Sequence, residues 1–328
     1  MFVGEHKGGY SAFAFDITQQ CLIGKDNDIT VLLDNRSWDT ISPLAGDFTV
    51  FGGIYRNVNL IETDECCFDR TYYGTDGVIV CTDLDDKQNG LIHIVAHVSG
   101  VADSRLSLRY ICRNASGKVV LSEEANIGEN EYQSCNQENS KKSFILETTF
   151  CVEEPALWNG VSAPNMYSLV VELVRNGTVI DHVERSIGFR KVTINPETGF
   201  YLNHVSMKIH GVAKHQDAGG FFSAVAEREV DRDFALIDEI GANAIRLSHY
   251  QHSGYTYERC DRDGYITWAE IPMLKMTENE QLQQNAMQQL TELILQNIHH
   301  PSICFWAVSY THLDVYKRQV QISSDDMR

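Results

Sequence analysis

No run of this 328-residue sequence approaches the roughly 20 apolar residues needed to cross a bilayer. No basic start leads into a short apolar stretch of the kind that directs secretion. Basic residues are also scarce: 27 Lys and Arg face 45 Asp and Glu, a formal net charge of −18. A charge of that sign repels nucleic acid and anionic membrane surfaces, so neither is an expected partner. A neutral or cationic small molecule is. The nine cysteines follow no disulfide or zinc spacing; Cys66 and Cys67 are adjacent and the rest are scattered. Idle thiols fit a reducing compartment, so a cytoplasmic location is the expectation.

What is present is β pattern first and α/β pattern later. Residues 1–65 hold short apolar runs, "YSAFAFDIT", "DITVLLDN" and "VNLIET", separated by Gly, Asn and Asp. They read as strands of an antiparallel sandwich whose first strands are missing. Residues 66–191 continue in β, with "LIHIVAHVSG", "RLSLRYICR" and "SFILETTFCV" as strands. A hairpin turns at Asn176-Gly177, a pair suited to a type I′ turn. "GENEYQSCNQENSKK" reads as an exposed polar loop. About seven short strands here imply an immunoglobulin-like β-sandwich.

Beyond about residue 192 the grammar changes. "VSMKIHGVAKH" reads as a strand, and "AEREVDRDFALIDEIG" as a helix with Val230, Phe234, Ile237 and Ile240 on one stripe and Gly241 as its stop. "NAIRLSH" is a second strand, "YTYERCDRDG" a helix ending at Gly264, and "YITWAEI" a third strand. A long helix carrying Leu282, Ala286, Leu290 and Leu293 then precedes "SICFWAV". Alternation of this kind implies a parallel sheet with right-handed crossovers, here the first half of a (β/α)8 TIM barrel over residues 192–307. Residues 308–328 break the pattern and read as a non-native tail.

In such a barrel, reactive groups stand at the C-terminal ends of the strands. Those ends deliver His215 and Asp217, then Ser248 and His249, then Glu270. Each has a plainer alternative: a solvated loop for His215 and Asp217, and a buried, bonded carboxylate for Glu270. Ser248 and His249 are neighbours on a strand and face opposite ways, which argues against a Ser-His dyad. A metal site from His215, His249 and Glu270 is conceivable, although the ligand spacing is not typical. Three successive strands each bring a polar group to one rim, and that favours function.

"DFTVFGGIYRNVNL", "GFYLNHVSMKIHGVAKHQD", "GANAIRLSHYQHSGYTYERCDRDGYITWAEIPM" and "HHPSICFWA" resemble glycoside hydrolase family 2, and most of all its β-galactosidases. The resemblance implies a jelly-roll domain, an immunoglobulin-like domain and a catalytic barrel, in that order. It implies that the Gly52-Gly53 corner carries a jelly-roll loop to the barrel mouth, where Asp47 reaches galactose hydroxyls. His215 and His249 then line the galactosyl subsite, with Arg56, Asp217, Asn243, Arg246, Glu270 and Trp306 supporting it. Arg56 is expected to anchor its corner by pairing with a carboxylate. No cofactor follows from the residues themselves. Sodium, potassium or magnesium are candidate ions of a full-length parent, with Asp47 the candidate ligand of a monovalent cation, and a homo-oligomeric parent is a further expectation.

The family places its acid/base in an Asn-Glu pair shortly after the tryptophan matching Trp306. Those places fall on Tyr310 and Thr311, and threonine has no proton to give near neutral pH. The nucleophile belongs to a later strand. The expectation is therefore a fragment of a retaining β-galactosidase without turnover of its own. A β-glucuronidase or β-mannosidase parent is the alternative within the family. A non-catalytic carbohydrate-binding protein is the alternative outside it.

Overall fold

A computed structural model describes residues 1–46, 48–100, 105–127, 143–275 and 277–308. The calls on Asp47, the polar loop 128–142, Tyr310 and Thr311 lie outside those residues.

The sandwich is built from β1 (Cys67–Phe68), β2 (Val78–Leu84), β3 (Gly90–Ser99), β4 (Leu106–Asn114), β5 (Val119–Asn126), β6 (Ser143–Val152), β7 (Tyr167–Arg175) and β8 (Thr178–Ile187). Strand β3 pairs antiparallel with β6 along its whole length, and its other edge takes β2 and β1. The second sheet runs β5-β4-β7-β8, also antiparallel. Side chains alternate with period two, so Ile92, Ile94, Ala96 and Val98 of β3 face Leu106, Leu108, Tyr110 and Cys112 of β4 and Leu169, Val171 and Leu173 of β7 in one core. The β7–β8 hairpin turns at Asn176 (φ 51°) and Gly177 (φ 76°), the left-handed pair a type I′ turn needs.

A small antiparallel meander follows: β9 (Val192–Asn195), β10 (Gly199–Leu202) and β11 (Val205–Ser206). "VSMKIHGVAKH" is therefore not one strand. It splits into β11 and β12 (Gly211–Lys214), which belong to different sheets. Between them Asn243 bonds the carbonyl of Lys208 at 2.8 Å and the amide of His210 at 2.7 Å, occupying backbone groups a continuous ladder would use.

Strands β12, β13 (Ala244–Leu247), β14 (Ile266–Glu270) and β15 (Ile303–Ala307) form a parallel sheet in chain order. Helices α1 (Glu227–Glu239), α2 (Gly254–Asp263) and α3 (Glu280–Asn297) cross between them. One face of the sheet meets the helices through Ile245, Leu247, Ala269, Val230, Phe234, Leu282 and Leu293. At the other face, Ala244 and Ile266 pack with Phe200 and Leu202 of the meander and with Trp158 of the sandwich. Trp158 also donates to the carbonyl of Asp261 at 2.8 Å. At this junction Gly264 (φ 86°) caps α2, and a Cβ there would stand 2.3 Å from the backbone of Gly160. Only glycine fits both demands.

Residues 1–66 depart from expectation. Among the described residues this stretch contains no strand. "YSAFAFDIT", "DITVLLDN" and "VNLIET" pair with no neighbouring ladder, and Ile29, Leu32 and Leu60 are 73%, 94% and 81% exposed. Apolar alternation makes a strand only where a partner chain and a facing layer exist to use it. The segment is held instead by the polar stripe of α3. Asn285 bonds the carbonyl of Lys7 at 2.9 Å and the amide of Ser42 at 3.0 Å. Glu292 pairs with His6 at 2.9 Å, and Gln296 bonds both backbone groups of Ala12.

Candidate functional site

The C-terminal ends of β13 and β14 converge on one buried carboxylate. Glu270 is fully buried. Residues 266, 268 and 270 share the inner face of β14, so Trp268 stands beside Glu270 and its indole donates at 3.0 Å. Arg246, inward on β13, reaches the same carboxylate through Nε at 3.1 Å and Nη2 at 2.9 Å. His249, just past the end of β13, places Nδ1 2.6 Å from Oε1. A buried charge of this kind is tolerable only when paired and bonded, and here three side chains supply the donors.

Above this cluster lie the aromatic and imidazole rings of the rim. His215 meets His249 edge to face at 5.0 Å, and its Nδ1 lies 3.3 Å from the Tyr250 hydroxyl. Phe48 sits within 5.2–5.8 Å of His215, His249 and Tyr250. Tyr10 stacks on Tyr250 at 4.2 Å. Burial pushes the Tyr250 phenol up to about 12, so it remains a neutral hydroxyl donor across the ordinary pH range. The loop after β12 also carries Phe222, whose ring lies 5.0 Å from Phe51 beside the Gly52-Gly53 corner. The corner does reach the rim.

The expected residues divide sharply. His215, His249, Arg246 and Glu270 come together. Asp217 is exposed on the loop after β12. Arg56 anchors its corner, but through the carbonyls of Tyr10 and Gln251 (2.8 Å) rather than a carboxylate. Burial lowers its affinity for the proton. Asn243 precedes β13, at the end of the strand opposite His249, and its bonds tie the meander to β12. It braces the floor of the barrel and does not line the rim. Trp306 lies opposite Ala269 on β15 and packs with the helix-facing core, so its support is packing. Ser248 Oγ forms no bond to His249 among the described residues. No three His, Cys, Asp or Glu side chains there are grouped to hold a metal ion, so the proposed His215–His249–Glu270 metal site is not assembled.

Sequence reading missed Phe48, Tyr250 and Trp268. Trp268 was recoverable, because it stands two residues from Glu270 on a strand and must share its face. Phe48 and Tyr250 meet through a contact about 200 positions apart in sequence, and no local signal encodes that.

Two family models match: "Glycosyl hydrolases family 2" over residues 76–190, and "Glycosyl hydrolases family 2, TIM barrel domain" over residues 192–320. The chain belongs to glycoside hydrolase family 2. The barrel match extends past Ala307, where the motif resemblance stops. Among curated relatives, a β-glucuronidase of Bacteroides fragilis is 34% identical over 93% of this chain and 44% of its own length. A β-galactosidase of Thermoanaerobacter pseudethanolicus is 29% identical over 98% of the chain and 42% of its own. The structure of Bacteroides uniformis β-glucuronidase 2 covalently bound to cyclophellitol-6-carboxylate aziridine superposes with TM-score 0.83 at 31% identity, covering 94% of this chain and 36% of that one. The chain thus spans less than half the length of these relatives.

Proposed function

We propose that this chain is the sugar-recognising part of a retaining glycosidase acting on terminal β-galactosides. The observation that carries the reading is the Arg246–Glu270–His249 cluster, set at the C-terminal ends of parallel strands beneath His215, Tyr250 and Phe48. Imidazoles and a neutral phenol exchange hydrogen bonds with sugar hydroxyls, while Phe48 and Trp268 offer apolar surface to the sugar C–H face. Among the described residues, the cations on these elements are committed: Arg246 to Glu270, Arg56 to backbone carbonyls, and Lys214 to Asp233. That favours a neutral hexose over a uronic acid, whose carboxylate would need a cation of its own.

Retaining hydrolysis uses two carboxyl groups about 5–5.5 Å apart, one as acid/base and one as nucleophile. Glu270 can be neither, because its lone pairs are taken by Arg246, Trp268 and His249. Among the described residues the rim therefore offers no such pair, and binding without turnover is the expectation for this chain.

Titration calorimetry with methyl β-D-thiogalactoside and with methyl β-D-glucuronide tests this, beside a chromogenic β-galactoside assay. Saturable galactoside binding that weakens about tenfold or more in His249→Ala, with hydrolysis at background, is the expected result. Preferential glucuronide binding would establish the second reading, a β-glucuronidase, which the similarity to two such enzymes supports. Hydrolysis above background would overturn the assignment of Glu270.

A further inference from the structure

The rim is buried at its floor and open at its outer edge. Glu270 is 0% exposed and His249 4%, whereas Phe221 and Phe222, on the loop after β12, are 46% and 60% exposed. Apolar rings gathered at one exposed place mark a contact site, which a single exposed side chain does not. Phe222 is also held there against its own backbone preference: its φ of 53° is left-handed, an outlier for a bulky residue. Paired backbone bonds between Ala218 and Phe222, at 3.0 and 2.9 Å, fix that conformation, and Gly220 (φ 86°) makes the tip between them. The ring meets Phe51 at 5.0 Å and a tilt of 46°. Phe51 belongs to the segment that puts Phe48 5.5 Å from His215, so aromatic side chains step outward from the imidazoles to the Phe51–Phe222 pair. Strain kept in an exposed ring serves no core and points to a ligand.

We infer that Phe51 and Phe222 form an aglycone platform: a subsite outside the sugar pocket that takes a flat, uncharged aromatic group carried on the anomeric oxygen. This rests on the reading of the rim as a glycoside site; it does not depend on whether the sugar is a galactoside or a glucuronide. A glycoside held by its hydroxyls keeps its leaving group on the solvent side, because that group departs to water. On this side the chain offers rings, which bind an aryl group by apolar contact and by offset or edge-to-face packing. Asp217, exposed at the start of the same loop, disfavours an anionic aglycone and leaves a neutral one as the fit.

Titration calorimetry of the 328-residue chain with two matched ligand pairs tests this: phenyl and methyl β-D-thiogalactoside, and phenyl and methyl β-D-glucuronide. Within the pair that binds, the phenyl compound should be about three- to tenfold tighter than the methyl one, the weight of an aromatic contact. Phe222→Asn removes the ring with a residue that tolerates the left-handed backbone, and Phe51→Ala removes its partner. In each variant the phenyl-to-methyl ratio should fall to within about twofold of unity. The ratio is read inside one folded variant, so a general loss of affinity cancels. A ratio near unity in the wild type would overturn the platform, and so would a ratio retained in either variant. A ring-dependent gain seen only with the glucuronides would strike the galactoside reading and leave the platform standing. Silence from all four ligands would overturn both.

Discussion

Residues 66–191 and residues 1–65 carry the same kind of sequence, short apolar runs broken by Gly, Asn and Asp, yet they fold on different terms. The sandwich has facing layers, and Leu106, Leu169 and Leu173 are each wholly buried. The amino-terminal stretch has no facing layer among the described residues, and Ile23 and Leu32 stand 98% and 94% exposed. Its order comes from side-chain amides of α3 that capture its backbone, from Tyr10 on Tyr250, and from Arg56. Alternation is thus a request for a partner, and burial follows only where the fold supplies one.

Paired substitutions sharpen this contrast most. Leu169→Ala should cost about 2–5 kcal/mol through lost burial and a cavity, whereas Leu32→Ala should stay within about 0.5 kcal/mol. Thermal melts of the two variants check it, and comparable losses would erase the distinction. Next comes the joint between sandwich and barrel. Gly264→Ala should cost about 3 kcal/mol, because a left-handed residue gains a Cβ against the Gly160 backbone. A smaller loss than at Gly117, where nothing stands within 4 Å, would break the argument.

A third substitution addresses the strap. Asn285→Ala removes bonds to Lys7 and Ser42, and should cost about 1–3 kcal/mol locally. Hydrogen exchange should quicken in residues 1–46 and remain unchanged in β3, β4 and β7. The smallest effect is on acid stability. Burial drives the proton affinity of His252 well below the ordinary histidine value, and His299 shifts the same way. Below about pH 6.5 the unfolded chain binds protons the folded one refuses, so stability falls with pH by up to about 1.4 kcal/mol per unit for each group. His252→Gln, which can still donate to the Ser248 carbonyl, should flatten that limb in urea titrations between pH 7 and 5 without abolishing it.

The barrel elements were legible because each is locally complete. Val230, Phe234 and Ile237 of the expected stripe are buried as their spacing requires, whereas Ile240, already the C-cap of α1, is 66% exposed; Gly241 (φ 71°) and Gly264 (φ 86°) end their helices. The same locality made His215, His249 and Glu270 readable as strand ends. What the sequence concealed was relational. Whether "DITVLLDN" becomes a strand depends on a partner, and whether Arg246 supports sugar or Glu270 depends on which face of β13 it occupies. Asn243 and Trp306 were expected to support the site, and what their sequence positions did not reveal is the form of that support, a brace beneath β12 and β13 and packing against the helices. The polar stripe of α3 was overlooked because Leu282, Ala286, Leu290 and Leu293 account for its helical period, and Asn285, Glu292 and Gln296 look like a solvated face until the segment they hold is seen.

The central claim is that sugar sits on the barrel rim and leaves the sandwich untouched. Hydrogen exchange of the 328-residue chain with and without saturating methyl β-D-thiogalactoside tests it most directly. The account predicts slowed exchange confined to residues 48–56, 213–218 and 246–253, with β2 to β8 unchanged. Slowed exchange in β2 to β8 with a silent rim would contradict it, and would make the chain a sandwich-type carbohydrate binder.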